Sequence, residues 1–222
     1  MGEVIIHGET TQHPITLIGE MAGICYNADT TDPEKNYKRG MDCLTSQHGR
    51  TWEYPTVYMT LDGYSARVMR EFYTHIGGMS TRLQASTRYI DYGDFQYYIP
   101  PSIENNRHAL DVYTNCMYQI SEAAKFLSGY DDVPKEDIAN LYPLGMKTKV
   151  VVKMNLRTLI DMSHQRMCNR AYHEFRALFS DITTELKRYS SEWETVVTKM
   201  FMPKCKYLRH CPEKKSCGYY HG

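Results

Sequence analysis

The hydrophobic pattern changes period several times along the chain, and each change predicts an element. Thr56–Leu61 (TVYMTL) is β-branched and aromatic and predicts a strand that Gly63 ends. From Ser65 to Tyr73, the residues Val68, Met69, Phe72 and Tyr73 share one side of a helix, with Ser65 as its cap and Gly77-Gly78 as its terminator. Tyr89 to Ile99 is aromatic and partly alternating, and Pro100-Pro101 stops it. Ile103 to Leu127 repeats Ala109, Val112, Cys116, Ile120, Ala123 and Leu127 at helical spacing and predicts one long helix. Pro134 opens a short helix through Leu141, with Glu136 and Asp137 suited to its first turn.

Lys147–Lys153 predicts a second strand. Asn155 then caps a helix to about Gln165, Asn169 a further one to about Arg188, and Ser190–Met200 forms the last. Upstream, residues 13–27 mix apolar groups with Gly19 and Gly23. The polar segment Asn27–Gly40, with Pro33, reads as a loop or an irregular helix start. Few strands among long helices predict the α+β class.

Composition narrows the function classes. The 26 Lys+Arg cancel the 26 Asp+Glu, so nothing argues for broad nucleic-acid or membrane-surface binding. No apolar run approaches the roughly 20 residues that cross a bilayer. The start MGEVIIHGET lacks a secretory pattern, and Ile6 stands where a myristoylation motif wants Ser or Thr. A cytoplasmic protein is expected, with Cys25, Cys43, Cys116 and Cys168 mostly as buried small apolar residues in a reducing compartment. Residues 1–202 are read as one domain and 203–222 as a Cys-containing basic tail. In that tail Cys205, Cys211 and Cys217 recur every six residues beside His210. The spacing is looser than the C-x₂-C of zinc sites, so a basic tail with free thiols, able to fold over a site or a subunit boundary, is expected rather than a metal centre.

Two stretches concentrate chemistry. Tyr73–Tyr89 holds His75, Arg82, Arg88, Gln84, two Ser, three Thr and Gly77-Gly78. Forked Arg donors and open glycine amides suit an anion, though a solvated Gly-containing loop has the same composition. In Asn155–Glu174, the residues Asn155, Leu159, Met162 and Arg166 share one helix face, with the first and last about 16 Å apart along the axis. That span suits a large ligand or two ligands. It also fits an Asn that only caps and an Arg that only closes the helix. No GxGxxG, GxxxxGK[ST] or GxSxG motif is present.

The run Ser86-Thr87-Arg88-Tyr89, followed by Asn155 and an Arg eleven residues later at Arg166, then Ala171 and Glu174, resembles the flavin-dependent thymidylate synthases. Weaker matches are His48 with Glu53, Tyr98-Ile99-Pro100 and Pro143-Leu144. The resemblance runs from about residue 20 to residue 200 and rests on the order and spacing of the motifs. It implies an α+β fold of long helices on a small, mostly antiparallel sheet, assembled as a homotetramer with active sites between subunits. It implies FAD as cofactor, NADPH and methylene-tetrahydrofolate as co-substrates, and methylation of dUMP to dTMP without an attacking cysteine. By position, Glu71, Gln84, Ser86, Arg88 and Arg166 would bind dUMP, with Arg166 and Ser86 nearest the chemistry. His75, Arg82, Asn155 and Asp161 would line the flavin.

The chain departs from the family's Arg-His-Arg signature. Thr74 and Ile76 flank His75, and His75 stands eleven residues before Ser86 instead of nine. Ala139 replaces a family Arg before the Pro. Each lost charge-assisted bond is worth roughly 1.5–3 kcal/mol. Arg82 or Lys147 is the expected replacement cation, and a different pyrimidine, altered one-carbon chemistry or a non-catalytic binding role are the alternatives that these losses raise.

Overall fold

The computed structural model describes residues 2–77 and 80–220. In chain order the elements are β1 (Glu3–Ile6), α1 (Pro14–Ile24), α2 (Pro33–Thr45), β2 (Thr56–Ser65), α3 (Ala66–Phe72), β3 (Thr81–Gln84), α4 (Pro101–Glu104) and α5 (Arg107–Leu127). They continue with α6 (Lys135–Ile138), β4 (Lys147–Asn155), α7 (Leu156–Arg166), α8 (His173–Tyr189), α9 (Ser191–Met200) and α10 (Lys204–Leu208). The strands form one sheet in the order β1-β2-β4-β3. The α+β class is borne out. No helix among the described residues is long and apolar enough to cross a membrane.

The caps expected at Ser65 and Asn155 form, and Ser190, expected only to begin the last helix, caps it as well. Ser65 Oγ accepts from Val68 N, Asn155 Oδ1 from Thr158 N, and Ser190 Oγ from Trp193 N. Each satisfies an amide that the first helical turn leaves without a partner.

Other expectations are corrected. Asn27–Gly40 is not a loop throughout, because Pro33 starts α2 in the favourable first position and Asp32 accepts from the amides of Glu34 and Lys35. Gly63 does not end β2, which runs on to Ser65. Glycine adopts φ 74° there at no steric cost and the strand continues. Asn169 does not cap α8. A turn closed by Ala171 N donating to Cys168 O delays that helix to His173. Tyr89–Ile99 forms no named strand and pairs only through an isolated bridge from Tyr97 to Met146. Gly78, the second half of the expected helix terminator, lies outside the described residues.

The long helix expected from Ile103 divides into α4 and α5, with Asn106 accepting from Ala109 N to start the second. Its buried face is also shifted by about one position. Met117 and Ala124 are buried, whereas Val112 and Cys116 of the expected stripe are exposed.

Two compact units divide the chain, one comprising Met1–Glu3, Leu61–Tyr73 and Leu83–Val150, the other Val4–Thr60, Thr74–Arg82 and Val151–Gly222. The first has a small aromatic core of Phe95, Met117 and Met146, packed by Tyr92, Tyr97, Tyr113, Ile120 and Tyr142. The aromatic segment after Arg88 thus serves as core filling, not as a strand.

The second unit has a helical core in which Ile15, Ile18, Leu156, Leu159, Met162, Phe175, Leu178, Ile182 and Trp193 are fully buried. Gly19 and Gly40 let α1 and α2 touch backbone to backbone. A Cβ on Gly19 would stand 1.8 Å from Asn36 O, and one on Gly40 would stand 1.9 Å from Ile15 O. The start of α1 has no local side-chain cap. Glu192 of α9 supplies it from far along the chain, accepting from Ile15 N at 2.7 Å, Thr16 N at 3.0 Å and Thr16 Oγ1 at 2.6 Å. A buried carboxylate at a helix N-terminus satisfies orphan amides and meets the positive end of the dipole.

Candidate functional site

The expected site residues fall into two groups. In the second unit, β4 delivers Asn155 to the start of α7. Its Oδ1 accepts from Thr158 N at 2.9 Å, and Thr158 Oγ1 lies 2.8 Å from the same oxygen and 2.7 Å from Gly77 O. The Thr158 hydroxyl therefore ties the segment after α3 to the first turn of α7. This contact fixes His75, which is buried.

At the other end of α7, Arg166 Nε donates to His75 Nε2 at 2.9 Å. An arginine N–H can only meet the lone pair of an imidazole nitrogen, so His75 carries its proton on Nδ1 and is neutral. Burial first, and then the Arg166 charge, push its pKa from 6.5 to about 4. The Arg166 guanidinium carbon lies 4.3 Å from the centre of the Phe175 ring, and His75 meets that ring edge-on at 5.9 Å. The stack on one side and the imidazole on the other set the guanidinium plane.

Arg166 lines a cavity of about 460 Å³ with Cys168, Arg170, Lys204 and the carboxyl-terminal segment. Asp161, exposed on the same helix, lines a different cavity of about 370 Å³ with Trp52, His164 and Tyr207. Asp161, expected at the flavin, and Arg166, expected at dUMP, therefore do not share a cavity wall. Arg82 is half-buried on β3.

In the first unit, β3 ends at Gln84 and the chain turns through Ser86. Gln84 Oε1 accepts from Tyr73 OH at 2.8 Å and its Nε2 donates to Thr148 Oγ1 at 3.3 Å. Ser86 Oγ accepts from Arg88 N at 3.2 Å, a local turn that presents the Arg88 side chain to solvent. Arg88 Nε pairs with Glu136 Oε2 of α6 at 2.6 Å, both side chains being more than half exposed. Glu71 faces Arg67 one turn back on α3 at 4.0 Å. Lys147 lines an open cavity of about 520 Å³ with Thr148, Lys149, Asp91, Tyr92 and Ala85, the residue that precedes Ser86. Lys149 is held by Asp62 at 2.5 Å, and this partner raises its pKa.

Sequence reading missed four participants. Phe175, Arg170 and Cys168 belong to the α7–α8 region, where helical spacing cannot say which side chains turn back toward Arg166. Glu136 was read only as a favourable first-turn acid of α6, with no sign that it neutralises Arg88.

The comparisons with known proteins agree with this picture. The family described as thymidylate synthase complementing protein matches residues 8–190. The flavin-dependent thymidylate synthase of Clostridium tetani is 26% identical over 95% of this chain and 91% of its own length. Among solved structures, a UMP/dUMP methylase, PolB, from Streptomyces cacaoi bound with 5-Br dUMP aligns with a TM-score of 0.72 at 12% identity, over 90% of this chain and 96% of that one. Thymidylate synthase X from Helicobacter pylori, with FAD and dUMP, aligns at 0.65 and 16% identity, over 88% and 98%. With more than half of its length matched by the family and its fold shared with these structures, the chain belongs to the thymidylate synthase complementing protein family.

Proposed function

We propose that this protein is a flavin-dependent thymidylate synthase, converting dUMP to dTMP with methylene-tetrahydrofolate as carbon donor and NADPH as reductant. The observation that carries the reading is the fixed Arg166–His75–Phe175 cluster inside a chain of this family. The residues present suit FAD. Arg170 and Lys204 share a cavity with Arg166 and can meet a pyrophosphate, while Asn155 keeps its amide Nδ2 to donate and His75 offers a neutral Nδ1–H. When bound, the reduced flavin supplies the reducing hydride.

The chain's own residues then bind and polarise. Ser86 and Arg88, supported by Gln84 and Glu71, hold the nucleotide. Arg166 presents a permanent positive charge to the uracil carbonyl where negative charge builds during reduction, the role of a preorganised oxyanion donor. His75 holds Arg166 through Nε and is a positioning residue. Because His75 accepts that bond only when neutral, the arrangement is intact well above a pH of about 4. No cysteine is asked to attack the ring. Catalysis of this kind rests on positioning, which a rigid buried cluster provides.

The same reading makes the protein a cytoplasmic homotetramer with active sites between subunits. It is supported by α5, whose 21 residues bury only Met117 and Ala124 while Val112, Tyr118 and Phe126 stay exposed, as suits a helix covered by another subunit.

A second reading keeps the fold but changes the pyrimidine or the one-carbon chemistry, or leaves a non-catalytic nucleotide or flavin binder. Thr74, Ile76 and Ala139, each at a position where the family has an arginine, favour it. Rescue of a thymidine-requiring strain by the intact chain, lost with Arg88→Ala or Arg166→Ala, tests the leading reading. A purified protein that takes up no FAD and fails that rescue would overturn it. A mass gain on dCMP with none on dUMP would favour the changed pyrimidine of the second.

A further inference from the structure

We propose that Cys168 and the cysteines of the carboxyl-terminal segment form a thiol–disulfide switch that fastens this segment over the Arg166 cavity. Four of the seven cysteines, Cys168, Cys205, Cys211 and Cys217, line that single cavity of about 460 Å³. One of the four comes from the α7–α8 turn, two residues after Arg166, and three come from the segment that closes over it. All four are free thiols. The segment lies beyond residue 190, where the family match ends.

The segment is docked but not packed. No residue from Lys204 to Tyr220 is buried. Polar contacts hold it: Arg170 Nη1 donates to Lys215 O at 2.6 Å, Arg170 Nε stands 3.9 Å from Glu213 Oε2, and Tyr207 OH donates to Gln47 at 3.1 Å. Tyr207 also stacks on His164 at 4.4 Å. Contacts this exposed are weak and break reversibly. A covalent bond from Cys168 to the segment would turn a loose cover into a fixed one.

A disulfide fits better than a metal centre. Among the described residues no three of His, Cys, Asp and Glu are grouped to hold an ion, whereas a disulfide needs only two sulfurs to meet. The oxidant is a small disulfide such as oxidised glutathione. One protein thiolate attacks it, forming a mixed disulfide and releasing one glutathione thiol. The second protein thiolate then attacks the protein sulfur of that mixed disulfide and expels the other glutathione thiol. Two protein thiols are oxidised to one disulfide, and the reagent is reduced to two thiols. Arg166, Arg170 and Lys204 against the single acid Glu213 make the cavity attractive to this anionic reagent.

The bond itself is independent of the proposed reaction. Only its consequence, control of access to Arg166, rests on that reading. The intact reduced protein is treated with oxidised glutathione, its remaining thiols are alkylated, and unreduced peptides are mapped by mass spectrometry. A peptide joining Cys168 to Cys205, Cys211 or Cys217 within one chain, released by dithiothreitol, is expected. Only glutathione adducts, bonds confined to the segment, or bonds between chains would overturn the switch and leave the reaction untouched. Trypsin cleavage after Arg209 should slow at least roughly tenfold on oxidation in the parent and be unchanged in Cys168→Ser. FAD uptake, followed by flavin fluorescence, should slow in the oxidised parent. Equal rates in the two redox states, with the cross-link present, would sink the covering role.

Discussion

Replacing His75 by Asn or Gln should remove a defined part of the protein's acid sensitivity. In the folded protein burial first, and the neighbouring Arg166 cation second, hold the His75 pKa at about 4 against 6.5 for a free imidazole. Between those two values the unfolded chain binds a proton at this position and the folded chain does not. Protonation therefore favours unfolding, and stability rises with pH. The contribution is complete above about pH 6.5, declines as pH falls, and levels off near pH 4. A depression of this size corresponds to on the order of 3 kcal/mol across the window, at about 1.4 kcal/mol per unit. Urea unfolding of parent and variant at closely spaced pH values measures it. Carboxylates titrate in both proteins, so the difference between the two pH profiles isolates the imidazole. The variant loses the bond to Arg166 and starts lower, but its profile should fall less steeply between pH 6.5 and 4. Parallel profiles would mean that His75 is charged or solvated in the folded state, and the assignment of Arg166 Nε as donor to its bare nitrogen would fail.

Glu136→Gln should release Arg88 from its exposed partner, change stability by under about 1 kcal/mol, and lower the KM for dUMP roughly two- to fivefold at low salt, checked by steady-state kinetics. Arg166→Lys keeps the charge but loses the Nε bond to His75 and the planar stack on Phe175; kcat should drop on the order of a hundredfold with a smaller change in KM. Glu192→Ala strips the start of α1 of its buried cap and should cost about 2–3 kcal/mol in urea unfolding.

Local chemistry was legible wherever it acts over one helical turn. Ser65 and Asn155 cap as expected, and α3 and α7 begin where those residues say, whereas Asn169 sits in a turn and α8 starts four residues later. What pattern alone missed depends on partners far along the chain. The start of α1 is stabilised by Glu192, and Gly19 and Gly40 have meaning only where two helices cross. Neither is visible in a window of neighbouring residues. The aromatic run after Arg88 alternated enough to resemble a strand. Phe95, Tyr92 and Tyr97 instead pack with Met117, Tyr113 and Ile120 of α5 and with Met146 just before β4 as a core, and that burial outweighs the local preference for extended pairing.

The same distinction explains the departures from the family signature. In sequence, His75 has lost both flanking arginines, which reads as a site stripped of charge. In space, His75 is still in contact with a guanidinium, that of Arg166, carried to it by the tie between Thr158 and Gly77. Arg170 and Lys204 bring two more cations to the cavity that Arg166 lines. The positive charge around the cluster is supplied by α7, the turn after it and the carboxyl-terminal segment, instead of by the neighbours of His75. Positive potential at a binding site depends on where charges end up and not on where they sit in the chain. A cluster rebuilt this way can keep its anion-binding chemistry while its linear motif disappears, and it makes that chemistry sensitive to the position of a segment in which no residue from Lys204 to Tyr220 is buried.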